Sequence, residues 1–166
     1  MKKFELTAEF VTNIFGKKLF RIKALVAFGN VEKGELGGFI EKEDNLSHDG
    51  DAWVSGDAWV SGDAQVSGDA WVSGNAQVSG NARVSGDADY AVVKGFGRYF
   101  RATTFFRCRD EILRVQCGCF YGNLTQFREI VKKTHGDSKR AKEYLAIADL
   151  MELHFSDEEE NREASE

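Results

Sequence analysis

From Asp51 to Gly86 the chain is a six-residue repeat without gaps: DAWVSG, DAWVSG, DAQVSG, DAWVSG, NAQVSG, NARVSG. A fixed period of six matches neither a helix nor a simple hairpin, and it predicts a parallel β-helix. Within each unit Ala and Val sit two apart, so a strand points both inward and turns the intervening residue out. Gly followed by Asp or Asn supplies each corner, since these residues tolerate left-handed backbone. Three such sides close a coil of 18 residues, a stacking distance that aligns Trp53 with Trp71 and Val54 with Val72. Only a narrow prism suits a core of Val and Ala.

The spacing resembles the left-handed parallel β-helix, or hexapeptide-repeat, superfamily, in which an aliphatic residue is followed four positions later by a small one. Val54/Ala58, Val60/Ala64, Val66/Ala70, Val72/Ala76 and Val78/Ala82 keep that pattern. Upstream, Leu36/Ile40, Lys42/Leu46 and His48/Ala52 extend the same phase and put His48 in an inward slot. The left hand is what the resemblance implies, because unaided sterics favour right-handed crossovers. The stretch Gly34–Ser47 and the Gly-Asp-Ala-Trp-Val that follows also resemble uncharacterised prophage hexapeptide-repeat proteins and hexapeptide-type acyltransferases. The prophage likeness implies an accessory role, such as antagonism of a host nucleic-acid-acting complex. The acyltransferase likeness implies a histidine base between prisms of a trimer, a protruding loop and more coils than this chain supplies.

The 166 residues hold one solenoid and one small additional domain. The expected partition is 1–30 as an N-terminal hairpin cap, 31–93 as the repeat, 94–155 as a basic α+β domain, and 156–166 as an acidic disordered tail. Alternating residues predict strands over 3–13 and 19–28, because an open solenoid end must be covered. Gly37-Gly38 predicts a tight turn feeding the first coil, not a phosphate loop, since no GxGxxG or Gly-Lys-Ser/Thr surrounds it. Beyond the repeat, 103–109 and 112–120 read as a hairpin turning at Asp110-Glu111. Asn123 with Gln126 forms a capping box for a first helix that Gly136 ends, and Asp137 caps a second helix to about 155. The fold class is thus mainly β: a β-helix of about three coils, a hairpin cap, and a C-terminal β-hairpin with two helices.

The net charge of −5 hides an asymmetry. Residues 29–93 carry three basic against twelve acidic residues, whereas 94–155 carry twelve basic against seven acidic. An acidic solenoid between basic flanks is a statement about partners. Within the basic domain Arg101, Arg107, Arg109, Arg114 and Arg128 are the candidate anion-binding residues. Stacked carboxylates form a file at Asp51, Asp69 and Asp87, read chiefly as corner hydrogen-bond acceptors. Trp53, Trp59 and Trp71 point outward at the repeat's alternate positions, and three large aromatics call for cover by the C-terminal helices, a second copy or a partner.

No catalytic residues, cofactor or metal site are expected. Cys108, Cys117, Cys119, His135 and His154 lack the paired ligand spacing of structural zinc, and the cysteines read as reduced, buried small hydrophobes. No run of residues is long and apolar enough for a membrane span and no leader pattern is read at the start, so a cytoplasmic location is expected. The expected function class is a non-enzymatic interaction protein working as a homo-oligomer on a host protein or ribonucleoprotein, its phage character being what the resemblance implies. Nucleotide sequestration by the basic domain and CoA-dependent acyl transfer stand behind it.

Overall fold

The computed structural model describes residues 2–98 and 101–156; the acidic stretch 157–166 lies outside them. Two long strands, β1 (Phe4–Thr12) and β2 (Lys18–Ala24), form an antiparallel hairpin. The third, β3 (Leu36–Ile40), pairs antiparallel with β2 on one edge. Six two-residue strands follow, one per hexad: β4 (Trp53–Val54), β5 (Trp59–Val60), β6 (Gln65–Val66), β7 (Trp71–Val72), β8 (Gln77–Val78) and β9 (Arg83–Val84). Each pairs in parallel with the strand three units on, as in Trp53 with Trp71 and Val66 with Val84. Main-chain bonds such as Ser55 N–H to the Val72 carbonyl (2.8 Å) and Ser61 N–H to the Val78 carbonyl (2.9 Å) bind successive coils. The repeat is a β-solenoid.

Its interior is the one the hexad dictates. Val54, Val60, Val66, Val72, Val78 and Val84 are buried, with Ala52, Ala58, Ala64, Ala70, Ala76 and Ala82 between them. Gly56, Gly62, Gly68, Gly74 and Gly80 turn the corners at φ of 61–67°, the left-handed region that a Cβ disfavours.

The first coil departs from the expected phase. Ile40 pairs with Val60 and Leu46 with Val66, both 20 residues apart, so this coil is two residues longer than its successors. Ile40 and Leu46 therefore fill the aliphatic slots expected for Leu36, Lys42 and His48. Leu36 and Lys42 are exposed, and His48 sits in the lengthened corner. The Gly37-Gly38 pair is not a turn either. Both lie inside β3 because the backbone there is crowded: a Cβ on Gly37 would stand 2.5 Å from the Val54 carbonyl and 2.8 Å from the Trp53 ring.

After the last coil, β10 (Tyr90–Val93), β11 (Thr103–Arg107), β12 (Leu113–Cys117) and β13 (Phe120–Asn123) form an antiparallel sheet in chain order. Its edge strand β10 lies wholly inside the stretch 31–93 assigned to the repeat. Two helices, α1 (Leu124–His135) and α2 (Lys139–His154), cover one side of the sheet. Asn123 Oδ1 accepts from Gln126 N–H at 2.8 Å and Gln126 Oε1 accepts from Asn123 N–H at 2.9 Å, closing the capping box. The second cap is Ser138, whose Oγ accepts from Ala141 N–H, one residue beyond the expected Asp137.

The adjacent residues Phe105 and Phe106 join the layers. Strand alternation sends Phe105 among Phe127, Tyr144, Ala148 and Met151, and Phe106 into the solenoid core with Val84 and Cys108. The molecule is thus three layers: solenoid, sheet and helix pair. No helix among the described residues is long and apolar enough to cross a membrane.

Candidate functional site

The three tryptophans, equivalent in sequence, have three different fates. Trp53 is fully buried beneath the N-terminal segment, with the Phe28 ring against it at 5.3 Å and β3 closing over it at Gly37. This cover comes from the chain's own N-terminal unit, which removes Trp53 from any outer face. Trp71 is half-buried and held on three sides. Its indole N–H donates to Ser55 Oγ at 2.9 Å, its backbone N–H to Asp87 Oδ1 at 2.9 Å, and its carbonyl accepts from the Tyr90 hydroxyl at 2.5 Å. Trp59 alone remains at a solvent-facing cleft.

That cleft is a groove of about 880 Å³ along one solenoid side. Its floor is the column of Trp59 and Gln77, paired through β5 and β8. One rim is the tip of the β1–β2 hairpin, where Ile14 and Phe15 are 67% and 69% exposed. The other rim is the C-terminal sheet, contributing Arg101, Gln116, Cys119 and Tyr121. The hairpin tip is a formed turn: Asn13 Oδ1 accepts from the N–H groups of Phe15 and Lys17 at 2.9 and 3.0 Å. The far rim is equally fixed. Gln116 accepts from Ser79 Oγ and donates to the Gly118 carbonyl, both at 2.8 Å, and the Tyr121 ring stacks on Phe106. Asp57 and Glu41 on one hand, Lys17 and Lys94 on the other, give the groove both signs of charge.

The candidate anion-binding arginines do not converge. Arg107 lies 3.3 Å from Asp89, and Arg114 makes two 2.8 Å bonds to the Asp110 carboxylate. Arg128 pairs with Asp149 and Glu152, and Arg109 donates to the Asp63 carbonyl. The paired guanidinium of Arg114 holds the Asp110 carboxyl at about 2, below its ordinary 3.8. Arg101 is the member that borders the groove.

The acidic file is likewise a set of local roles. Asp87 accepts from Trp71 N–H, Asp51 stands near Lys3, and Asp69 is an exposed corner residue. No group of three or more His, Cys, Asp or Glu among the described residues could hold a metal ion. Cys108 is buried, which pushes its thiol up; Cys117 accepts from Thr103 Oγ1, and Cys119 is exposed. His48 stacks on Phe4 at 4.3 Å, accepts from Lys3 N–H at 3.0 Å and meets Glu43 at 2.7 Å. Those bonds tie the lengthened corner to β1 and occupy both ring nitrogens. The hydrogen bond from His48 is also the leading cause that holds the Glu43 carboxyl low.

Residues 64–78 and 76–88 match the YdcK beta solenoid repeat family, in agreement with the stacked hexads there. Among curated proteins, none matches this chain. Sequence reading missed Ile14 and Phe15; the signal was present as two large apolar residues in a predicted turn, where polar ones are the rule.

Proposed function

We propose that this chain is a non-enzymatic interaction protein of the left-handed hexapeptide-repeat type, which self-associates through the groove and presents the resulting assembly to a larger partner. The observation that carries this reading is the pairing of an exposed apolar hairpin tip, Ile14 and Phe15, with an aromatic groove floor at Trp59. Apolar side chains held out on a rigid turn gain stability by insertion into an aromatic cleft. A second copy is the matching occupant, because a symmetric contact uses each surface twice. The likeness to prophage hexapeptide-repeat proteins extends the proposal to antagonism of a host complex by that assembly.

The test is sedimentation velocity of the wild type and of Ile14→Ser with Phe15→Ser over a wide concentration range. Both residues are exposed, so the variant should keep its circular dichroism and lose the oligomer. A wild type that stays monomeric at its highest soluble concentration, or a variant that assembles equally well, sinks the proposal. The competing acyl-transfer reading would show itself as a melting temperature that climbs with acetyl-CoA concentration.

A further inference from the structure

Residues 2–4 lie across the lengthened first corner as a strap, and one imidazole fastens them to it. His48 Nδ1 accepts from the Lys3 backbone N–H at 3.0 Å, so the ring proton sits on Nε2 and is donated to Glu43 at 2.7 Å. Both ring nitrogens are used, and only the neutral ring can use them in this way. We infer that His48 is a proton-operated clasp, which releases the strap and lets solvent reach Trp53 when the imidazole takes up a second proton. The device sits at the capped end of the solenoid and does not depend on the groove interaction.

The groups around the ring decide which side yields. A second proton, on Nδ1, would face the Lys3 N–H as donor against donor. The strap also carries cations. The Lys3 ammonium donates to the Gly50 and Ala52 carbonyls at 3.3 and 2.6 Å, and Lys2 stands 3.5 Å from the same Glu43 oxygen that His48 holds. On the corner side lie the carboxylates of Glu43, Asp49 and Asp51. A cationic His48 is therefore attracted by its own side and repelled by the strap, so the ring stays with Glu43 and the strap lets go. Burial already pushes the Lys3 ammonium down, with Asp51 and Asp49 acting against it, and a further cation beside it disfavours it more. Phe4, buried in the core and stacked on the imidazole at 4.3 Å, is the pivot.

What the strap covers favours release. The Lys3 ammonium lies 4.6 Å from the centre of the Phe28 ring, and the Lys3 carbonyl accepts from Leu25 N–H at 2.8 Å. Phe28 in turn packs edge-on against Trp53 at 5.3 Å. Trp53 is fully buried, yet its indole N–H has no hydrogen-bond partner among the described residues. A buried donor left unpaired disfavours the closed arrangement, and contact with water removes that penalty. Trp71, paired with Trp53 in the same column, donates its indole N–H to Ser55, so the orphan donor is particular to the strapped end. Loss of the Lys3 contacts thus loosens a cover over an atom that gains by exposure.

The chain has three tryptophans, so three indole N–H signals in the NMR spectrum of the full-length protein report on the strap. A neutral, soluble nitroxide broadens whichever of them solvent reaches. At about pH 8 the Trp53 signal should be spared and that of Trp59 broadened. The pH is then lowered to about 5.5, a range in which histidines titrate and ordinary carboxylates do not. The Trp53 signal should broaden severalfold, with the midpoint of the His48 ring titration and with unchanged circular dichroism. His48→Gln keeps an acceptor for the Lys3 N–H and has no proton to gain, so Trp53 should stay spared throughout. Trp53 already broadened at about pH 8, or still spared once the His48 ring has titrated, overturns the inference. So does broadening that persists in His48→Gln, or loss of circular dichroism over the same range, which is unfolding of the whole rather than of the strap. Where His48→Gln does not fold, the two wild-type midpoints decide: their coincidence upholds the clasp and their separation overturns it.

Discussion

The two ends of the solenoid are closed by opposite strategies. At the N-terminal end closure is main-chain: β2 pairs with β3, and β3 with β5, so the antiparallel hairpin runs into the parallel column as one five-stranded sheet. At the C-terminal end side chains do most of the work. Thr104 Oγ1 accepts from Gln77 N–H, Asp87 from Trp71 N–H and the Tyr90 hydroxyl from Ser73 N–H, while Phe106 plugs the core. One backbone bridge, Ala82 with Cys108, assists. A ladder satisfies edge donors whatever the side chains are, provided the backbone can come close. A plug satisfies them only through particular residues. Substitutions should therefore hurt the first end by adding bulk and the second by removing groups.

The largest expected effect is at the plug. Phe106→Ala should cost about 3–5 kcal/mol, the usual range for a buried Phe truncated in a core. Urea unfolding would measure it, and a loss below a quarter of that range would show that the sheet does not depend on the plug. Gly37→Ala tests the ladder from the opposite direction. Its Cβ meets the Val54 carbonyl, a backbone atom that cannot rotate away, so about 1–3 kcal/mol of overpacking cost is expected. A neutral Gly37→Ala would mean that β3 does not approach the first coil this closely. Tyr90→Phe removes the hydroxyl shared by Trp71 and Ser73 and should cost about 1 kcal/mol. Hydrogen exchange should then show the last coil opening before the first.

The smallest effect is electrostatic. Asp110 titrates at about 2 in the fold against an ordinary 3.8, because Arg114 favours the carboxylate. Its stabilisation is complete above the ordinary value and lost as the pH falls through about 2. Asp110→Asn should flatten the acid limb of the stability curve in that window and converge with the wild type below it. Unchanged acid dependence would place the sensitivity at the other end, on Glu43 beside His48.

How legible each part was follows from the range of the interactions. The buried Val and Ala columns, the 18-residue pairing of Trp53 with Trp71 and the Asn123–Gln126 capping box are set by neighbours a few residues apart or by an unbroken period. The phase of the first coil was not legible, because two added residues around His48 shift it and the sequence does not mark where. Nor was the role of Gly37-Gly38, since a close backbone approach and a turn both ask for glycine. Arg107 and Arg128 reach acids that only folding brings near, so charge composition alone could not tell a structural pair from a ligand site. Arg114 with Asp110 was readable as a local pair four residues apart.

The groove has a property that its rims alone do not reveal. Its floor is the repeat, while its two walls are the hairpin tip and the C-terminal sheet, and each wall is anchored to its own end of the solenoid. Duplicating one 18-residue coil in the middle would separate the walls by about 4.8 Å, one strand spacing, and break none of the end contacts. Coil number therefore acts as a ruler for groove width. A family built on this plan could change the size of what it grips by copying 54 nucleotides of coding sequence in place, with every residue of both rims left as it is.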